Sequence, residues 1–417
     1  MALTQQGIVQ GDMWTSRGGR YFNVFRGIPY AKQPTGARRF RRTESLDEKD
    51  SWLGVRVFNI EMQPCYQFSP LIGIFVGSEE CLMLNVYSPN LELEKPLPVM
   101  VWIHGGGFVA GEAGSTTHGP QYLMDQDIVL VTFNYRLGIL GFLSMETEDI
   151  PGNQGLWDQR EALLWVQKNI KHFGGDPKRV TIFGGSAGSM SVNYHLFSTQ
   201  SKGLFHRAIM QSGTAISPYT KVNNPPAHYA MRLSRAVGCS GADVSDCLRN
   251  IPVNTLYNNI MMFDECSLRA DIGLTFPGPW VPVVDNYVDK PFIAEAPEDI
   301  LETGKENKVP TMIGFTKEDG LLFTSRFIKD KDFKNFFLEN WESCGPINLL
   351  GKETSFITKE DVAYVNNLRD KYPKDLTDLF TDAIFARSSH IIANKFSQRN
   401  KHVYKYIFSY KGNGTNF

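Results

Sequence analysis

Two stretches, LPVMVWIH (Leu97 to His104) and IVLVTFNY (Ile128 to Tyr135), carry apolar side chains almost continuously, with Gly and Pro near their bounds. A strand with one wet face alternates apolar and polar residues. A strand with no polar face has to be covered on both sides, as in a parallel sheet held between helices. RVTIF (Arg179 to Phe183), HRAIMQSG and VPTMIGF (Val309 to Phe315) read the same way. Further strands are predicted around GIVQG, over Tyr21 to Phe25, over Cys81 to Tyr87 and in the alternating VYKYIFSY (Val403 to Tyr410). DQREALLWVQKNI (Asp158 to Ile170) has helical spacing, with Ala162, Leu163, Val166 and Ile170 on one face and Asp158 as its expected cap. The segment from about Ser217 to Lys308 reads as helices and loops over the sheet. Strands and helices alternating over this length predict one α/β body with a large, mostly parallel central sheet and helices on both faces.

One serine sits where such a sheet can present it. Gly184-Gly185-Ser186-Ala187-Gly188 follows the strand RVTIF and opens the helical SAGSMSVNYHLF. Strand, G-x-S-x-G, helix is the pattern of a nucleophile elbow. The turn is so tight that neighbouring side chains would clash, so bulk is stripped from positions 184, 187 and 188. The Ser186 hydroxyl is then offered above the sheet beside a helix N-terminus that favours developing negative charge. Upstream, His104-Gly105-Gly106-Gly107-Phe108 follows VMVWI directly. Its glycine amides can point at one oxygen and, with the Ala187 amide, build an oxyanion hole from Gly106, Gly107 and Ala187. His104 reads as a loop-ordering residue. Downstream, Thr316-Lys317-Glu318-Asp319-Gly320 follows VPTMIGF. An acid there can orient an imidazole, with Asp319 the choice and Glu318 the alternative.

Bulk properties exclude little. Apolar residues are 42%, charged residues 21% and the formal net charge is −1. Arg38, Arg39, Arg41 and Arg42 cluster locally with no basic stripe continuing them, which reads as a solvated turn and not a nucleic-acid surface. No apolar run approaches the roughly 20 residues of a membrane span, and MALTQQGIVQG lacks the blocks of a signal peptide. The six cysteines contain no CxxC pair, so no metal site is expected. Cys65 and Cys81 are 16 positions apart and Cys239 and Cys247 are 8 apart, spacings that suit disulfide-closed loops; Cys266 and Cys344 are left over, free or bridged. Asn413 begins an Asn-Gly-Thr sequon, a candidate glycosylation site.

The chain resembles the type-B carboxylesterase family, which includes cholinesterases, insect and mammalian carboxylesterases, bile-salt lipase and the catalytically inactive neuroligins. The matching stretches run nearly end to end: RGIPYAKQPTGARRF, EECLMLNVYSP, VWIHGGGF, NYRLGILGFLS, GNQGLWDQREALLWVQKNIKHFGGDPKRVTIFGGSAGS, GLFHRAIMQSG, WVPVVDN and IGFTKEDG. The resemblance implies an α/β-hydrolase fold forming a single domain over residues 1–417, hydrolysis of small-molecule esters through an acyl-serine, no cofactor, and a secretory location. It makes Ser186 the nucleophile, Asp319 the triad acid, and Cys65–Cys81 and Cys239–Cys247 the disulfides. Where the family most often has Glu at the triad acid, this chain has the shorter Asp. Gly185 replaces the frequent Glu before the nucleophile. The Cys65 to Cys81 loop has no Trp, which argues against acetylcholine. Tyr219 lies where cholinesterases place an acyl-pocket aromatic. A non-catalytic recognition protein on the same scaffold is the alternative, and the retained Ser186 argues against it.

The base is the largest departure. Only His390 and His402 follow Asp319, one in a predicted helix and one before VYKYIFSY. The fold places the catalytic histidine on a loop after the last core strand, which here begins near Lys411. The expectation is a fragment truncated at the C-terminus, lacking the catalytic histidine and covering helices, poorly soluble and nearly inactive by itself. The sequence sets no oligomeric state and no particular ester.

Overall fold

The continuous apolar runs form the middle of a nine-stranded mixed sheet. The computed structural model describes residues 1–69, 73–221, 225–259, 268–269, 275–276, 279–352, 357–372 and 375–410. In chain order the sheet strands are β1 (Asp12–Thr15), β2 (Tyr21–Pro29), β3 (Met83–Ser88), β4 (Leu97–Ile103), β5 (Val129–Phe133), β6 (Gly175–Gly185), β7 (Arg207–Gln211), β8 (Thr311–Thr316) and β9 (Val403–Phe408). They lie side by side as β9-β8-β7-β6-β4-β5-β3-β2-β1. From β9 to β5 every pair is parallel, and from β5 to β1 every pair is antiparallel. All five residues of β5 are buried, as a strand covered on both faces requires. GIVQG also forms a strand, but in a separate small sheet of Ala2–Thr4, Gly7–Gln10 and Val55–Val57.

The helices that matter for the site are α1 (Gln154–Asn169), α2 (Ala187–Phe197), α3 (Leu321–Lys329), α4 (Lys331–Glu339), α5 (Trp341–Leu350), α6 (Lys359–Lys371), α7 (Leu376–Phe380) and α8 (Arg387–Ser397). α2 is buried along its whole length against the sheet. Helices α3 to α7 pack around their own aromatic core of Phe315, Phe323, Phe327, Phe337, Trp341, Phe380 and Phe385. In the segment from 217 to 308 the described residues include the short helices Pro226–Ala236, Val244–Asn250, Val253–Asn258 and Pro297–Thr303 and a short antiparallel pair of Leu268–Arg269 with Thr275–Phe276.

Three expectations need correction. First, α1 begins at Gln154, with Asn153 in the left-handed region as its cap (φ 60°), so Asp158 is not a cap. Asp158 is fully buried and bound by Arg136, whose Nε and Nη2 donate at 2.8 and 2.7 Å while its backbone amide donates at 2.9 Å. A buried carboxylate needs such a partner, and helix propensity does not reveal one. Second, the arginine cluster is not a solvated turn throughout. Arg39 is buried, pairs with Glu79 at 2.5 Å and donates to the carbonyls of Arg249 and Ile251. Arg42 lies over the Trp157 ring. Third, β9 does not hide one face. Tyr404, Ile407 and Phe408 are each more than half exposed on this edge strand.

The two expected disulfides are present, Cys65–Cys81 and Cys239–Cys247. Cys344 is disulfide-bonded as well, while Cys266 and Asn413 lie outside the described residues. Among the described residues no helix is long and apolar enough to cross a membrane.

Candidate active site

The three loops singled out in the sequence leave the same edge of the sheet. β4, β6 and β8 run parallel, and Ile103 pairs with Gly184 at the ends of β4 and β6. The segments after Ile103, Gly185 and Thr316 therefore emerge at the carboxyl ends of the strands, where open α/β sheets place their ligands.

Ser186 sits in the turn from β6 into α2 with φ 55° and ψ −124°, outside the regions an ordinary residue prefers. Such a conformation costs on the order of 1–3 kcal/mol and persists only where the surroundings enforce it. Here they do: the Ser186 amide donates to the Gln211 carbonyl at 2.8 Å, and the Met190 amide donates to the Ser186 carbonyl at 2.9 Å. Gly188 lets α2 dock, because a Cβ there would lie 2.0 Å from the Ile103 carbonyl oxygen. The glycine loop lies directly against the serine: a Cβ on Gly105 would be 3.2 Å from the Ser186 Cβ. Gly106, at φ +116°, turns tightly enough for its carbonyl to accept from the Val109 and Ala110 amides, both at 3.0 Å.

Gly107, Ser186 and Ala187 line one narrow pocket with Phe108, Met190, Tyr219, Val281, Leu322, Phe323 and Phe385. Gly106 stands one residue back in the turn. No lining side chain carries a charge. The pocket has room for about 20 Å³, roughly one water. The buried Tyr219 hydroxyl donates to the Asn348 carbonyl at 3.0 Å, which fixes the ring as an aromatic wall. Burial pushes that hydroxyl's pKa up.

His104 is buried beneath the glycine loop. Its Nδ1 donates to the Gly105 carbonyl at 2.8 Å and its ring stacks on Tyr135 at 4.3 Å, whose hydroxyl donates to the His104 carbonyl. Burial lowers its pKa to about 3, so it is neutral and orders the loop. Asp319 follows β8, half-buried, with its carboxylate accepting from the Thr316 amide at 3.0 Å and the Thr316 hydroxyl at 2.5 Å. It is outside the lining of the serine pocket. His390 on α8 is half-buried against Phe315, and His402 is exposed just before β9. His195, on α2 beyond the serine, is fully buried. Gln159 Oε1 can only accept, so Nε2 carries the proton at 3.0 Å and Nδ1 accepts from the Ser201 hydroxyl at 2.7 Å. Burial lowers its pKa to about 3. His104 and His195 are held in buried hydrogen bonds, His390 packs on Phe315, and His402 stands at the amino end of β9, opposite the carboxyl edge that carries Ser186.

The pocket walls from α3 and from the turn before α8, namely Leu322, Phe323 and Phe385, were not singled out in the sequence. Their only local signal is the apolar Leu321-Leu322-Phe323 immediately after the acidic loop. Among the described residues no group of three or more His, Cys, Asp or Glu could hold a metal ion.

A serine at a strained elbow, abutted by a glycine-rich loop on the carboxyl edge of a mixed sheet, defines an α/β-hydrolase. The chain belongs to the carboxylesterase family, whose model matches residues 1–417. It is 37% identical over 438 residues to the juvenile hormone esterase of Tribolium castaneum, covering 99% of this chain and 73% of that protein. It is 34% identical to a carboxylic ester hydrolase of Bombus ignitus, covering 98% of this chain and 74% of that protein. The crystal structure of juvenile hormone esterase from Manduca sexta, with OTFP covalently attached, superposes with a TM-score of 0.85 at 31% identity, covering 99% of this chain and 78% of that one.

Proposed function

We propose that this protein hydrolyses small carboxylic esters through an acyl-serine. The supporting observation is the juxtaposition of a strained Ser186 with the Gly105 to Gly107 backbone at one apolar pocket. Ser186 Oγ attacks the ester carbonyl carbon, and the amides of Gly106, Gly107 and Ala187 donate to the resulting oxyanion. The C–O bond to the alcohol then breaks, and water attacks the acyl-serine to release the acid. An imidazole takes the Ser186 proton and returns it to the leaving alcohol, oriented by Asp319. His104 and His195 are held in buried hydrogen bonds, so neither is assigned as that base. Bridges at Cys65–Cys81 and Cys239–Cys247 suit an oxidising compartment and support a secretory location.

A fluorophosphonate probe and a short-chain nitrophenyl ester test this reading. Probe labelling should map to Ser186 and vanish in Ser186→Ala without a change in melting temperature. Added imidazole should speed turnover of the wild-type chain well above that of Ser186→Ala. Turnover that added imidazole does not raise would show that a base already stands at Ser186. A chain that Ser186→Ala leaves equally active, or that never labels, would be a recognition protein on this scaffold.

A further inference from the structure

One turn further along α3 from the serine pocket lies a second cleft, of about 650 Å³, between α3, α4 and residues of α6 and α7. That volume is within the roughly 300–1,000 Å³ of small-molecule sites. About half its lining is apolar, supplied by Phe327 and Ile328 from α3, Leu338 from α4 and Leu376 from α7. Ile328 is 71% exposed at the rim of the cleft.

The cleft is also electropositive. Lys331 and Lys334 sit three apart on α4, and Arg369 on α6 lies over the Trp341 ring. Among the described residues neither lysine is held in an ion pair. The acid lining the cleft, Asp375, is occupied: its carboxylate accepts from the Thr377 and Asp378 amides at the start of α7. The Tyr372 hydroxyl points away, donating to Asp382 at 3.0 Å. A cleft with an apolar strip and two unpaired lysines beside it complements a ligand with a tail and one negative charge.

We propose that this cleft binds a single-chain fatty carboxylate, its tail on Phe327, Ile328, Leu338 and Leu376 and its carboxylate at Lys331 and Lys334. α3 links the two cavities: it carries Leu322 and Phe323 into the serine pocket and, one turn on, Phe327 and Ile328 into the cleft. Binding here does not depend on Ser186 being a nucleophile.

The test uses dodecanoate with the full chain, followed by titration calorimetry and by photo-crosslinking with a diazirine-tailed analogue. One saturable equivalent is expected, with label mapped to residues 324–338, 369–372 and 375–377. Lys331→Glu with Lys334→Glu should weaken binding tenfold or more at an unchanged melting temperature. An acid at the first position of α4 suits the helix dipole, so folding should survive. Uncharged dodecanol should bind at least tenfold more weakly than dodecanoate. Label concentrated on Met190 and Phe385 would overturn the proposal by placing the ligand in the serine pocket. Equal affinity for dodecanol, or no loss in the double variant, would overturn the role of the lysines. Association with phosphatidylglycerol vesicles but no binding of monomeric dodecanoate would show a lipid surface instead and overturn it too.

Discussion

Gly185 and Gly188 flank the same serine and meet different neighbours. A Cβ on Gly185 would lie 3.5 Å from the tip of the Trp102 ring, an ordinary contact. A Cβ on Gly188 would collide with the backbone carbonyl of Ile103. Gly185→Ala is therefore expected to leave the melting temperature within a few degrees of wild type. Gly188→Ala is expected to lower it sharply or to give insoluble protein, because α2 cannot dock on β4 without moving. Thermal unfolding of the two variants decides this; equal melting temperatures would contradict the docking geometry. The residue pattern around Ser186 was legible because local crowding alone demands small side chains at a strained turn. Which glycine faces a neighbouring strand was not legible, since Ile103 comes from a segment 85 positions away.

At the level of elements, α1 shows how tertiary partners override local signals. Asp158 resembles an N-cap in sequence, yet it is buried in the helix and holds Arg136 by paired hydrogen bonds. Asp158→Asn would leave a buried guanidinium without its counter-charge and is expected to cost about 3–5 kcal/mol. Urea unfolding measures this; a loss under about 1 kcal/mol would show that the pair contributes little. α3 makes the complementary point. Phe323, fully within the aromatic core, also closes the serine pocket. If the pocket works as proposed, Phe323→Ala should raise kcat/KM for a branched or aromatic acyl ester relative to acetate by about tenfold, the scale of adding or removing a methylene-sized contact. An unchanged ratio of the two kcat/KM values would place acyl selection elsewhere. The strand runs were legible because a doubly covered strand cannot carry polar residues. The helices over the site were less so, since their apolar faces pack on one another and not on the sheet.

For the whole molecule, two buried histidines set a pH dependence. His104 and His195 each have a pKa lowered to about 3 by burial, against about 6.5 in an unfolded chain. Between those values the unfolded chain binds protons that the native state refuses, so stability increases with pH there and falls on acidification. Each histidine contributes up to about 1.4 kcal/mol per pH unit in that window. Above about pH 6.5 their contribution is level. The urea midpoint should fall from pH 6.5 to pH 4.5, and His195→Asn should flatten that fall; an unchanged slope would show that His195 protonates without unfolding.

The sequence by itself determined the central sheet strands, the strained serine and the glycine loop, which follow from apolar runs and local crowding, while the pairing of Cys65–Cys81 and Cys239–Cys247 came from the family resemblance. Tertiary structure alone decided that the glycine loop presses on the serine, that His104 and His195 stay neutral, and that successive turns of α3 line a narrow pocket and a charged cleft. Those outcomes depend on backbone approach and desolvation between distant segments, and neither quantity has a signature in the order of residues.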